Sequence, residues 1–85
     1  MPTSIDRLRN IGPKSAAWLE ECGIPFVEDL REVGAVLAFR MVSQSQCGVS
    51  INLLWALAAG LQNRDWRDLT NSEKQQLRLS VAAED

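Results

Sequence analysis

The chain has 85 residues, 46% of them hydrophobic, with 9 Lys and Arg against 11 Asp and Glu and a formal net charge of −2. This length fits one domain with an expected radius of gyration of about 12 Å, and it is short for a cavity that would enclose a substrate. The slight acidity argues against a dedicated polybasic nucleic-acid binder, because affinity for DNA rests largely on neutralising phosphates.

In chain order the punctuation is helical throughout, without strand-like alternation of β-branched residues. Ser4 is expected to cap a short helix through Arg9, with Ile5 and Leu8 on its inner face. Asn10-Ile11-Gly12-Pro13 breaks that helix. Pro13 suits the first position of a second helix, where its missing N–H costs nothing. This helix runs to Cys22 with Ala16, Leu19 and Cys22 inward, and Gly23 ends it as a left-handed cap. After the extended Ile24-Pro25 link, a third helix is expected over 27–33, closed by Gly34, and a fourth over 35–45, closed by Gly48. Ser50 caps a fifth helix over 51–61 that is apolar nearly all round, the pattern of a buried central helix. Its Ala56, Ala59 and Gly60 are small enough to let other helices come close. Trp66 should fold back on the core. Thr70-Asn71-Ser72-Glu73 fits a capping box that opens a last helix with Leu77 and Val81 inward, and the tail from Ala82 to Asp85 should fray. The glycine turns at Gly34-Ala35 and Gly48-Val49-Ser50 faintly echo the first one, which leaves room for a second, degenerate hairpin.

The two cysteines, Cys22 and Cys47, come with no CxxC pair and no histidine, so no zinc site is expected and both thiols should be free. The N-terminal stretch is polar, without the apolar core of a signal peptide. The longest apolar run, Leu53 to Ala59, is far too short to span a bilayer. A cytoplasmic location is therefore expected.

The informative pattern is an apolar pair, a glycine-like turn, and a small residue where two helices pack closely: Ile5, Leu8, Ile11, Gly12, Ala16 and Leu19 fill the places of a helix-hairpin-helix. Asn10 stands where the first glycine usually falls, and Asn tolerates positive φ better than other side chains. Such a turn captures anions, since the free N–H groups that open the second helix point outward and the helix dipole adds positive charge. The candidate phosphate contacts are Arg7, Arg9, Asn10, Gly12, Lys14 and Ser15, with the amides of Gly12, Lys14 and Ser15 as backbone donors. The same hairpin also serves as plain scaffold or as a protein contact, and that alternative stays open. Charge is distributed accordingly. Residues 1–19 carry Arg7, Arg9 and Lys14 against Asp6, whereas residues 20–32 carry Glu20, Glu21, Glu28, Asp29 and Glu32 against Arg31.

Trp18 lies one position off the Ala16–Leu19 face, so it packs at the core edge or meets a partner. Asn52 reads as a local backbone hydrogen-bonder, and Arg40 as a side chain that reaches the surface or pairs with a carboxylate. No catalytic set is visible: there is no His, no phosphate-binding loop of the G-x-x-x-x-G-K type, and the adjacent Glu20 and Glu21 point to different helix faces.

The runs Asn10-Ile11-Gly12-Pro13-Lys14-Ser15, Val27-Glu28-Asp29-Leu30, Gly34-Ala35 and Asn52-Leu53-Leu54-Trp55-Ala56-Leu57 resemble the C-terminal domain of the TfoX/Sxy family, bacterial regulators of competence. The resemblance extends over about residues 6–79. It implies an all-helical domain with a helix-hairpin-helix, in a family linked to DNA uptake and gene regulation, and it implies no catalytic residues. Members typically carry an additional N-terminal domain, which this chain is expected to lack, and that departure bears on whether the regulatory role is kept.

Together these observations predict an all-α, compact five- to six-helix domain over residues 1–85, SAM-like, containing a helix-hairpin-helix. The expected function is a non-enzymatic regulatory binding module without cofactor, metal, membrane or small-molecule substrate. Its expected partner is the DNA backbone or a protein of the transcription machinery. The alternative is a protein-interaction domain, such as a homodimer, that uses Trp18 or the exposed face of the 35–45 helix.

Overall fold

Five α-helices and two single 3-10 turns make up the computed structural model, which describes residues 1–83. Helix α1 spans Pro13–Glu21, α2 Val27–Val33, α3 Ala35–Ser45, α4 Asn52–Leu61 and α5 Asn71–Ala83, and the 3-10 turns are Ile5–Arg7 and Trp66–Asp68. The Cα radius of gyration is 11.8 Å, close to the about 12 Å of a compact chain of this length. The architecture is all-α, and among the described residues the extended backbone pairs only in an isolated antiparallel bridge between Ser4 and Phe26.

That bridge explains the main departure from expectation. The segment before Ile5 is extended rather than capped: Val27 donates its N–H to the Thr3 carbonyl at 2.8 Å, and Ile5 donates to the Pro25 carbonyl at 3.0 Å. Ser4 makes no side-chain capping bond, and Leu8 is already back in the extended region, at φ −68° and ψ 135°. The expected helix over 4–9 is therefore one 3-10 turn, and the hairpin's first arm is a turn rather than a helix. Ile5 and Leu8 still face inward, both buried.

The helix ends follow local chemistry closely. At the end of α1, Ile24 donates to the Leu19 carbonyl at 2.8 Å and Gly23 to that of Glu20 at 3.0 Å. This is the Schellman pattern, with Gly23 at φ 84° and the buried pair Leu19 and Ile24 making the accompanying apolar contact. The same pattern ends α4, where Arg64 donates to the Ala59 carbonyl and Asn63 to that of Gly60, each at 2.9 Å; there Asn63, at φ 55°, takes the left-handed place. Gly34 both closes α2 and opens α3 at φ 89° and ψ 155°, a region essentially reserved for glycine. Ser50 Oγ accepts from the Asn52 N–H at 3.1 Å. At α5 the capping box is complete: Glu73 N–H donates to Thr70 Oγ1 at 3.1 Å, and Thr70 N–H to Glu73 Oε1 at 3.2 Å. Helix α5 continues through Ala83, beyond the expected start of fraying at Ala82; residues 84–85 of that tail lie outside the described residues.

Helix α4 is the centre, as its all-round apolarity predicts, with every residue from Leu53 to Gly60 buried. It packs against α3 and beneath the second 3-10 turn, while α3 also meets α1, α2 and α5. Helix α5 has no fully buried residue; Leu77 and Val81 rest half-buried against the core. Trp55 on α4 is 3% exposed and is covered from α5, where Lys74 Nζ and the Arg78 guanidinium lie 5.8 and 5.4 Å from its ring centre.

What approaches α4 at Gly60 is not another helix but the Leu8–Arg9 backbone. A Cβ at Gly60 would lie 2.6 Å from the Arg9 carbonyl oxygen and 3.1 Å from Leu8 Cγ. Gly→Ala in a helix interior ordinarily gains about 1 kcal/mol, whereas overpacking of this kind costs about 1–3 kcal/mol. The contact is with backbone, which has no rotamer to yield, so the overlap should win. Gly60→Ala is expected to lower the urea midpoint. Gly12→Ala, at φ −89° with nothing within 4 Å of the new methyl, should leave it nearly unchanged. A Gly60→Ala protein as stable as its parent would show that the Leu8–Arg9 segment can move away freely.

Candidate functional site

The candidate site is the turn that leads into α1. Asn10 adopts φ 76°, the left-handed conformation that lets the chain reverse between Leu8 and Gly12. Its side chain is turned into the molecule. Asn10 Nδ2 donates to the Arg64 carbonyl at 2.8 Å and to the Ala56 carbonyl at 3.4 Å, and Oδ1 accepts from the Trp66 N–H at 3.4 Å. Asn10 thus shapes the turn and ties it to α4 and to the second 3-10 turn. With both ends of its side-chain amide committed inward, that side chain is not turned toward an outside phosphate.

The remaining candidates divide into two groups. Gly12, Lys14 and Ser15 stand together at the start of α1. Gly12 precedes Pro13 as the cap residue, without any side-chain capping bond, and the amides of Gly12, Lys14 and Ser15 donate to no acceptor among the described residues. They are the orphan donors of a helix start. Lys14 is exposed, and its Nζ lies 5.2 Å from the centre of the Trp18 ring. Arg9 and Arg7 sit on the other side of the turn. Arg9 Nη1 donates to the Asn63 carbonyl at 3.1 Å, which draws that guanidinium toward the end of α4; Arg7 is exposed on the first 3-10 turn.

Behind the turn, Arg64 carries the connection on to α5. Its guanidinium meets Glu73 at 2.7 and 3.2 Å and the Asp68 carbonyl at 2.9 Å. The hydrogen bond from Arg64, then the Thr70 N–H, holds the Glu73 carboxyl down from its ordinary 4.5 to about 2. Next along the chain, Asp65 accepts from the Arg67 side chain and N–H, and these bonds hold its carboxyl well below the usual carboxylate range.

Beside the α1 start lies an open cleft of about 380 Å³ whose lining includes Ser15, Trp18, Asn52, Leu53, Ala56 and Trp66. Trp18 and Trp66 are both half-buried against the core. Sequence reasoning missed this cleft. Asn52, expected to bond local backbone through its side chain, instead uses its backbone N–H, on Ser50 Oγ. Its side-chain amide has no partner among the described residues. Nothing local in the sequence signals that Asn52 and Trp66 meet Ser15 and Trp18. Both cysteines are free, Cys22 half-buried and Cys47 exposed.

Comparison with known proteins bears on the whole domain. The family model described as the TfoX C-terminal domain matches residues 1–81. The DNA transformation protein TfoX of Haemophilus influenzae is 34% identical over 70 residues, a match that covers 82% of this chain and 32% of that protein. The chain thus spans about a third of the length of this curated relative. The crystal structure of an uncharacterized protein from Listeria monocytogenes superimposes with a TM-score of 0.86 at 26% identity, over 95% of this chain and 92% of that one.

Two outcomes follow from the geometry of the turn. Asn10→Gly keeps the left-handed conformation and loses the inward hydrogen bonds, so it should cost about 1–2 kcal/mol. Asn10→Ala loses both and should cost about 1–2 kcal/mol more; equal stabilities in urea would mean that the backbone conformation imposes no constraint. The Glu73 carboxyl is depressed in the folded chain. Its contribution is therefore fully present above its unfolded value near 4.5 and is lost as pH falls toward about 2. Thermal melting across that acid range should show a shallower fall for Glu73→Gln than for the parent, and parallel curves would remove Glu73 as a source of acid sensitivity.

Proposed function

We propose, from the premise that this chain belongs to the TfoX C-terminal domain family, that it is a competence-related regulatory binding module that holds the DNA backbone through the start of α1. The observation that carries this reading is the set of orphan amides at Gly12, Lys14 and Ser15, of which Gly12 and Lys14 are exposed residues and Ser15 is half-buried, with the Lys14 ammonium close by. Helix-start amides with a dipole behind them suit a phosphate oxygen. Such a grip positions a protein on nucleic acid without reading bases. The Haemophilus relative is a DNA transformation protein, which supports the choice of DNA as the anion. The domain acts as a non-enzymatic module in the cytoplasm, where DNA and the transcription machinery are both available.

The electrostatics keep the interaction modest. A chain with net charge −2 has few cations to displace counterions, so binding should be weak and strongly weakened by salt.

A second reading is favoured by one observation. Leu37 on α3 and Leu79 on α5 are 46% and 56% exposed, on two helices that pack against each other. Exposed leucines of this kind suit a protein partner or a second copy.

The double variant Lys14→Glu with Gly12→Val separates the two. The backbone at Gly12 is extended and open, so the variant should fold with unchanged helical content by circular dichroism. Its affinity for duplex DNA at low salt should fall by about tenfold or more, the loss expected when a charge-assisted phosphate contact becomes a repulsion. A folded double variant that binds as before would remove the α1 start as the contact and turn attention to the Leu37 and Leu79 side.

A further inference from the structure

The cleft beside the α1 start has a composition that the backbone grip does not use. Its volume of about 380 Å³ lies at the small end of the range for sites that take a small organic ligand. Its walls include two indoles, Trp18 from α1 and Trp66 from the second 3-10 turn, over the apolar surface of Leu53 and Ala56. Two polar residues of the lining, Ser15 and Asn52, have a hydroxyl and a side-chain amide with no partner among the described residues. Outside the lining itself, the Lys14 ammonium lies 5.2 Å from the Trp18 ring centre.

We propose that this cleft seats the base of a single unpaired nucleotide whose phosphate is held at the start of α1. The inference rests on the backbone-contact reading above and deepens it. Indole faces favour stacking with a planar ring, whatever the base. The Asn52 amide offers one acceptor and two donors, the complement of a base edge. Ser15 belongs to both places, lining the cleft and lending its free N–H to the helix start. Base and phosphate, which are joined in one nucleotide, would thus meet adjacent parts of one surface. The Lys14 ammonium over the Trp18 ring favours an anionic occupant. An apolar side chain from a protein would instead bury the Ser15 and Asn52 groups without partners, at a cost that follows from their desolvation. A base within a duplex is stacked and cannot enter, so the ligand is a single strand, a frayed end or a flipped nucleotide.

The test is an NMR titration of the isotopically labelled chain with three probes at low salt: an oligothymidylate, an abasic deoxyribose-phosphate strand of the same length, and a blunt duplex. The three indole N–H signals act as reporters, with the buried Trp55 as the internal control. Oligothymidylate should shift the Trp18 and Trp66 indoles and the Asn52 side-chain signals, leave Trp55 in place, and bind about tenfold or more tightly than the abasic strand. Asn52→Ala, an exposed position at the start of α4, should reduce that advantage and leave abasic binding unchanged. Trp18→Leu should abolish the advantage if the variant folds; Asn52→Ala decides the matter if it does not. Equal binding of oligothymidylate and the abasic strand, with shifts confined to the Gly12–Ser15 amides, would overturn the base pocket and keep the phosphate grip. A duplex that binds as tightly as the single strand would overturn the pocket in the same way. No shifts with any probe would overturn both.

Discussion

A single methyl group placed on Gly60 would collide with the backbone of the turn that precedes α1, and much of the domain is organised around that closeness. The Leu8–Arg9 segment lies directly on the last turns of the central helix, a packing that side chains alone rarely reach. Asn10 then closes the seam by donating to carbonyls of Ala56 and Arg64. In consequence the direction of α1 is set by backbone contact rather than by a flexible loop. A helix start held this rigidly keeps its orphan amides in fixed positions, as a pre-organised anion grip requires.

The seam continues through the molecule as a chain of hydrogen bonds. Asn10 bonds Arg64, Arg64 bonds Glu73, and Glu73 completes the capping box with Thr70. The turn before α1 and the start of α5 are thus linked by one polar relay across the end of α4. The Arg64 and Glu73 side chains are 33% and 36% exposed, so water screens their attraction and the pair contributes little by charge alone. Their effect is geometric, fixing the loop of residues 62–70 that carries Trp66 to one side of the cleft.

The family and its charge set bounds on how such a domain works. The match covers about a third of the Haemophilus relative, so the activity of that whole protein can depend on surfaces outside the region compared. Within the domain, cations on α1 are few and acids gather between Glu20 and Glu32. Function in this setting is better served by a small number of well-placed donors than by a broad electrostatic field. Aromatic surface next to the grip adds affinity that salt does not screen.

The helix punctuation was legible because it is local: Gly23, Gly34, Ser50 and the Thr70–Glu73 box act on backbone groups within a few residues, and each acts as its residue type dictates. The burial of α4 was legible for a similar reason, since a helix apolar on every side has nowhere else to go. The positive φ of Asn10 was legible too, but what its side chain binds was not, because its partners are 46, 54 and 56 residues away along the chain. Long-range pairing also overruled a local preference at the N-terminus, where hydrogen bonds to Pro25 and from Val27 hold the segment before Ile5 extended and leave only one 3-10 turn of the expected helix. The cleft belongs to the same class, since Ser15, Trp18, Asn52 and Trp66 come from three separate parts of the chain. Residue order therefore decided where the chain turns and which helix lies at the centre, through short-range sterics and apolar periodicity. Only the packed structure decided which distant polar groups meet, because those pairings depend on how the helices are set against one another.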